Sequence, residues 1–126
     1  MLDIKKLLTK ILDSFKTQTD TLNGSYGLVA YVCKCCGVVS ITINQTSATQ
    51  LPKGQWITIG TLSASFRPVF QVDALGPDNN TSSVQNNSVQ LRVTTGGNVN
   101  VWAYTNGVTN NQVPATVTYI GGGGTP

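Results

Sequence analysis

The sequence contains no histidine, and only five of its 126 residues are Asp or Glu. Histidine is the commonest general base and a frequent metal ligand, so its absence removes the usual starting point for acid–base or metal-dependent catalysis. Charged residues make up only 10% of the chain, and its carboxylates are scattered instead of paired. The sequence therefore predicts a protein that is not an enzyme and that needs no cofactor.

Two further absences limit the partners. No apolar run approaches the ~18 residues of a membrane-spanning helix, so we expect no membrane insertion. The net charge of +3 arises mainly in the first sixteen residues. The cations farther along the chain are Lys34, Lys53, Arg67 and Arg92. They form no basic stripe, so a nucleic-acid backbone is a poor partner.

The cysteines Cys33, Cys35 and Cys36 are close in sequence but make a poor metal site. Structural zinc takes about four ligands, whereas this cluster offers three thiols and no imidazole. Strand alternation would also place Cys33 and Cys35 on one face and Cys36 on the other. We therefore predict no metal, and reduced, partly buried thiols of a protein that folds in a bacterial cytoplasm.

An N-terminal heptad pattern predicts a coiled-coil trimerisation helix over residues 1–22. Apolar residues recur at steps of three and four, with Gln18 filling one gap, as coiled coils require. Leu7 and Leu12 widen the stripe, which favours three chains over two. The predicted trimerisation residues are Ile4, Leu8, Ile11, Phe15 and Leu22. The alternative is an ordinary amphipathic helix that packs on its own β-domain; in either case Asn23-Gly24 would end it.

From Ser25 onward the period changes to two, which predicts strands. Their expected ranges are 27–34, 38–44, 55–62, 68–75, 88–94, 99–105 and 113–120. The glycines of 95–98 predict a tight hairpin; Asn106-Gly107 is a second turn and Cys36-Gly37 a weaker one. The chain is thus predicted to be mainly β, with an antiparallel β-sandwich or jelly-roll-like head over 25–120. We expect a polar loop at 76–87 and a flexible Gly-rich tail at 121–126.

The predicted strand 99–105 carries the most informative side chains. Alternation gives one face to Val99, Val101 and Ala103, and the other to Asn100, Trp102 and Tyr104. An exposed aromatic ring between amides can stack on a sugar ring while the amides bond its hydroxyls. The same face could instead contact a neighbouring subunit, or the core assignment could be inverted. We name Asn100, Trp102 and Tyr104 as candidate ligand-binding residues, whereas Trp56 fits simple packing.

The order of motifs over 27–120 resembles the C-terminal head module of bacteriophage tail and baseplate minor structural proteins. The matching segments are Gly-Val-Val (37–39), Trp-Ile-Thr-Ile-Gly-Thr-Leu (56–62), Phe-Arg-Pro (66–68) and Ala-Thr-Val-Thr-Tyr-Ile (115–120). The resemblance departs where Ser63 stands in place of the family's usual proline. Ligands in this family are diverse, so it implies no binding residue. Arg67, which Pro68 restricts to an extended conformation, is expected to bond a loop carbonyl or the edge of a neighbouring subunit.

The resemblance implies a coiled coil that leads into a trimeric β-head contacting the host envelope. We therefore expect a phage tail-fibre or baseplate tip protein, a homotrimeric adhesin that binds a host surface glycan or another envelope component. It would be made in the bacterial cytoplasm and reside in the virion among other tail proteins. Two alternatives stay open: a purely structural fibre or decoration protein, and a monomeric bacterial carbohydrate-binding domain.

Overall fold

The structure, a computed structural model, describes residues 3–45, 51–52, 54–77, 88–103 and 115–122, which contain one short α-helix, two single-turn 3₁₀ helices and eight strands. The helix, α1, spans Ile4–Ser14. The strands are β1 (Gln18–Asn23), β2 (Leu28–Cys35), β3 (Val38–Gln45), β4 (Trp56–Thr61), β5 (Val72–Pro77), β6 (Ser88–Val93), β7 (Asn98–Ala103) and β8 (Ala115–Ile120). The chain is mainly β, as predicted, and each predicted strand overlaps an observed one.

The strands form two antiparallel sheets that enclose a common core in a sandwich-like arrangement. The first sheet has the order β1-β2-β3-β8, and the second has the order β4-β7-β6-β5. The second sheet is a Greek key. The consecutive strands β5, β6 and β7 lie side by side, and the preceding strand β4 pairs with β7. Among the described strands, the first sheet begins as a simple meander, so their order is not that of a jelly roll with two Greek keys. The described part of the chain therefore favours the sandwich-like alternative.

The core follows the predicted alternation. On β3 and on β6, every second side chain is buried, including Ile41, Ile43 and Leu91. Leu51 and Leu62, which lie outside the strands, close the core and are fully buried too. Branched aliphatic side chains at period two fit a pleated, half-buried surface, which explains why these segments form strands.

The N-terminal helix is shorter than the heptad pattern predicts. Helix α1 ends at Ser14, and β1 pairs antiparallel with β2. Leu22 therefore lies on a strand and packs against the core, so the predicted helix over 1–22 and the seam position of Leu22 are both wrong. The β-branched Thr17, Thr19 and Thr21 favour an extended chain. Pairing with the edge of β2 then supplies the backbone hydrogen bonds that a continued helix would have made.

The apolar face of α1 does not pack on the sandwich. The carboxylate of Asp3 caps the helix by accepting from the backbone N–H of Lys6 at 3.1 Å. The apolar side chains beyond this cap are 42 to 64% exposed. They are Ile4, Leu7, Leu8, Ile11, Leu12 and Phe15, which we call the helix stripe. The alternative of a helix folded onto its own domain is therefore wrong, whereas a coiled coil stays a prediction.

The predicted tail begins later than residue 121. The N–H of Gly121 donates to Gly37 O at 2.8 Å, and that of Gly122 donates to Arg67 O at 3.1 Å. These two residues are thus anchored beside the first sheet, and the prediction of a flexible tail is wrong for them. Residues 123–126 lie outside the described part, as do Asn106-Gly107 and most of the predicted loop at 76–87, whose Gly76 and Pro77 belong to β5.

Arg67 has the structural role predicted for it. Its Nε donates to the carbonyl oxygen of Leu62 at 3.0 Å, and the N–H of Leu62 donates to Gly97 O at 2.8 Å. These bonds tie the segment after β4 to the hairpin between β6 and β7. Gly97 in that hairpin has a φ of +91°.

Replacing Gly97 with alanine should destabilise the fold, while the same change at Gly96 should not. A Cβ at Gly97 would lie 2.8 Å from both Leu62 O and Arg67 Nε, at a positive φ. A Cβ at Gly96 would meet only the Thr94 hydroxyl, at 3.9 Å. We expect Gly97→Ala to lower the free energy of unfolding by about 1–3 kcal/mol in urea melts. Equal stability of the two variants would contradict this hairpin geometry.

Tyr119 should make stability fall at alkaline pH. Its buried hydroxyl donates to Phe66 O, and burial raises its pKa. Above pH about 10 the unfolded tyrosine loses its proton while the folded one keeps it, so the free energy of unfolding should fall by about 1.4 kcal/mol per pH unit. Tyr119→Phe should remove this slope, at a pH-independent cost of about 1–3 kcal/mol because the Phe66 carbonyl loses its donor. Urea melts across the alkaline range measure both effects, and an unchanged slope in the variant would contradict the assignment.

Candidate functional site

The outer face of the second sheet carries the predicted ligand-binding residues of β7. Val99, Val101 and Ala103 are fully buried. Asn100 and Trp102 alternate with them and therefore lie on the side away from the core. The inverted assignment of core and surface is thereby excluded. Tyr104 lies outside the described residues, so its candidate role stays a prediction.

Trp102 forms a cross-strand pair with Trp56. The two residues are directly opposite in the register of β4 and β7, and their ring centroids are 5.2 Å apart with planes tilted by 59°. Such tilted pairs contribute about 0.5–1.5 kcal/mol beyond their buried area. Trp56 is 37% exposed. The pair therefore presents aromatic surface to solvent in a fixed geometry.

Arg92 on β6 links the tryptophan pair to the far edge of the sheet. Its guanidinium carbon lies 4.4 Å from the centroid of the Trp56 ring, in a cation–π contact. Its Nε donates to Asp73 Oδ1 at 2.8 Å, and its Nη2 donates to Asp73 Oδ2 at 3.4 Å. This two-point contact aligns the guanidinium plane, and it balances the positive charge of Arg92 with a negative one.

Polar side chains continue the same face beside the rings. The hydroxyl of Thr58 donates to Asn100 Oδ1 at 2.8 Å, across the β4–β7 pair. This bond orients the Asn100 amide and leaves its nitrogen as the hydrogen-bond donor on that side chain. Thr61 makes the equivalent bond to Asn98 at 2.9 Å, so the amide ladder extends along β7.

These contacts define one connected surface, which we call the platform. It consists of Trp56, Thr58, Asp73, Arg92, Asn100 and Trp102, from all four strands of the second sheet. Its aromatic faces can stack on a flat apolar ligand surface, and its amide and hydroxyl groups can bond ligand hydroxyls. One cation and one anion, paired with each other, leave no net charge. The platform is therefore suited to a neutral, hydroxyl-rich ligand.

Four platform residues were not among the sequence candidates: Trp56, Thr58, Asp73 and Arg92. Trp56, for which the sequence favours simple packing, joins the platform through the register of β4 against β7. The alternation of Trp56 with Ile57 already indicated that this ring lies away from the core. Arg92 and Asp73 join the site only through pairing across β5, β6 and β7.

The cysteines lie at the β2–β3 end of the first sheet, away from the platform. They are free thiols, with Cys33 and Cys36 exposed and Cys35 partly buried. Within the described ranges, no group of three or more His, Cys, Asp or Glu residues is placed to hold a metal ion. No helix in that part of the chain is long and apolar enough to cross a membrane.

No family model matches this chain, and no curated protein matches its sequence.

Proposed function

We propose that this protein is a bacteriophage tail-fibre or baseplate tip protein, a homotrimeric adhesin that binds a glycan of the host surface through the platform. The observation that carries the proposal is the solvent-facing Trp56–Trp102 pair flanked by oriented amide and hydroxyl groups. The resemblance of 27–120 to phage tail and baseplate head modules supports the proposed location in a phage tail or baseplate. In this proposal the protein has no catalytic role.

The platform's chemistry favours a neutral sugar ring over a charged ligand. The apolar face of a hexose could stack on one indole, while its hydroxyl groups bond Asn100 and Thr58. Arg92 is already engaged with Asp73 and with the Trp56 ring, so its charge is compensated. An anionic glycan would have to compete with Asp73 for Arg92.

Trimerisation is supported by the helix stripe. At about 100° per residue, the stripe from Leu7 to Leu12 covers about 140° of the helix circumference, wider than the seam of a two-stranded coiled coil. An isolated helix of 11 residues is marginal in water. Association of three helices would bury the exposed side chains and stabilise both the helix and the trimer.

Three platforms on one trimer would bind a glycan-covered surface with a much higher overall affinity than one platform alone. An open sheet face buries little of a ligand, so each site alone is expected to be weak. Linked sites rebind at high effective concentration, which can raise the overall affinity by about 10²–10⁴. This explains why an adhesin of this type would combine a shallow site with a trimerisation element.

The test is binding of the intact protein to an array of bacterial envelope glycans, presented at high and at low density. We expect binding to neutral saccharides that weakens steeply as the glycan density falls. Binding to none of the envelope saccharides by a stable trimer would contradict the adhesin proposal and favour a purely structural fibre. Binding by a monomer would instead favour a bacterial carbohydrate-binding domain.

A further inference from the structure

The turn between β2 and β3 contains an unusual residue for its geometry. Cys35 pairs with Val38, so Cys36 and Gly37 form a two-residue hairpin loop. Their φ angles are 55° and 81°, as a type I′ turn requires. Glycine, Asn and Asp dominate such positions because positive φ is costly for other residues. A cysteine held there points to a role for its thiol.

The turn brings two thiols together. Simple alternation would send the side chains of Cys35 and Cys36 to opposite faces, but positive φ at Cys36 changes its direction. Their sulfur atoms lie 3.4 Å apart. Cys36 is exposed and Cys35 partly buried, beside a shallow cavity of about 210 Å³ that Asp13, Lys16 and Lys34 also line. Both thiols are thus adjacent to each other and within reach of a small solute.

Cys35 also contacts the end of the helix. Its Sγ donates to the carbonyl oxygen of Phe15 at 3.4 Å. Phe15 is the C-cap residue of α1. The bond therefore joins the helix end to the first sheet, and it requires the sulfur to carry its hydrogen.

We propose that Cys35 and Cys36 form a redox-active vicinal dithiol, which a low-molecular-weight disulfide oxidises to a disulfide within the turn, releasing the contact to Phe15. The proposal stands on the geometry of the turn and does not depend on the glycan-binding function. Cys33, which lies on β2 outside the turn, takes no part.

The reaction is balanced by the small disulfide. The thiolate of one cysteine attacks a sulfur of the oxidant, the S–S bond breaks, and one small thiol leaves. The second cysteine then attacks the protein sulfur of this mixed disulfide and expels the second small thiol. The two cysteines lose two hydrogens in total, and the oxidant is reduced to two thiols. Because the hydrogen of Cys35 is directed at Phe15 O, the Cys36 thiol is the donor to Cys35 Sγ, and this hydrogen bond raises the pKa of the Cys36 thiol.

Adjacency in sequence makes the product easy to reverse. Consecutive Cα atoms are about 3.8 Å apart, whereas disulfides usually join Cα atoms about 4.4–6.8 Å apart. Such a bond is strained and more readily reduced than a structural disulfide. The pair is thus suited to reversible oxidation and reduction as the surrounding redox potential changes, and not to a permanent structural disulfide.

The experiment exposes the intact protein to oxidised and reduced glutathione in varied ratios, followed by alkylation of free thiols and peptide mass mapping. We expect the 35–36 pair to lose two hydrogens while Cys33 stays alkylated, with full reversal by dithiothreitol. Cys33→Ser should behave like the natural chain. Cys35→Ser and Cys36→Ser should instead stop at a glutathione adduct. A disulfide that includes Cys33, a lasting glutathione adduct in the natural chain, or a crosslink between chains would overturn the proposal.

Hydrogen exchange tests the link to the helix. Oxidation should speed exchange of the backbone N–H groups in the last turn of α1 several-fold. In the Cys35→Ser/Cys36→Ser double variant, a hydroxyl can still donate to Phe15 O and no disulfide can form, so glutathione should leave the exchange rates unchanged. An unchanged rate in the oxidised natural chain, or an equal change in the double variant, would overturn the release of Phe15.

Discussion

Trp102→Ala should weaken binding of the protein to the glycan proposed as its ligand by about 30-fold, since a central tryptophan in a binding surface contributes about 2 kcal/mol or more. The variant removes one stacking surface and also the partner that holds Trp56 in place, 5.2 Å away between ring centroids. Titration of a soluble saccharide, followed by calorimetry, measures the single-site affinity without the contribution of avidity.

The fold should survive this change. Trp102 lies on the outer face of the second sheet, and its neighbours on β7 keep the core filled. We expect only the loss of the aromatic pair, about 0.5–1.5 kcal/mol in the free energy of unfolding. Tyr31→Ala is the matched control, because Tyr31 is an aromatic residue that is 48% exposed on the other sheet. Equal loss of binding in both variants, or undiminished binding by Trp102→Ala, would contradict the platform as the site.

If the helix stripe joins three chains as proposed, Leu8→Asp should convert the trimer into a monomer. The light-scattering mass should fall from three times that of the chain, about 40 kDa, to 13.3 kDa. Leu8 lies within the helix stripe and is 52% exposed in the single chain. In a trimer its three copies would meet, and three carboxylates in an apolar interface would each cost several kcal/mol. Binding to a dense glycan surface should fall by about a hundredfold or more, with the single-site affinity unchanged.

Thr9→Asp is the control for this experiment. It adds the same charge to the same helix, at an exposed position outside the stripe, so the trimer should persist. If the natural protein has the mass of a monomer at every concentration, the trimer proposal is wrong. If Leu8→Asp keeps the mass of a trimer, the helix stripe is not what joins the chains.

Much of the fold could be predicted from the sequence because alternation is a local signal. The strands around Ile41 and Leu91 show it plainly, and the glycines of 95–98 mark the hairpin between β6 and β7. The end of the helix could not be found in this way, because Phe15 and Leu22 also fit a continued heptad. The helix ends early because Thr19 and Thr21 favour a strand and because β1 pairs with β2.

The candidate site was predicted only in part for a related reason. The orientation of Asn100 and Trp102 follows from alternation within one strand. Their neighbours follow from the strand order β4-β7-β6-β5, which joins segments far apart in sequence. Similarly, the contact between Cys35 and Cys36 depends on the positive φ of Cys36, which no alternation pattern gives.

The most direct test of glycan binding by the platform uses the chain's two tryptophans, both of which belong to the platform. Their indole N–H signals can be followed by NMR while the highest-scoring neutral saccharide from the array is added. We predict that the signals of Trp56 and Trp102 shift together and give the same dissociation constant, while amide signals around Tyr31 stay in place. Saturable binding that leaves both indole signals unchanged would contradict the account.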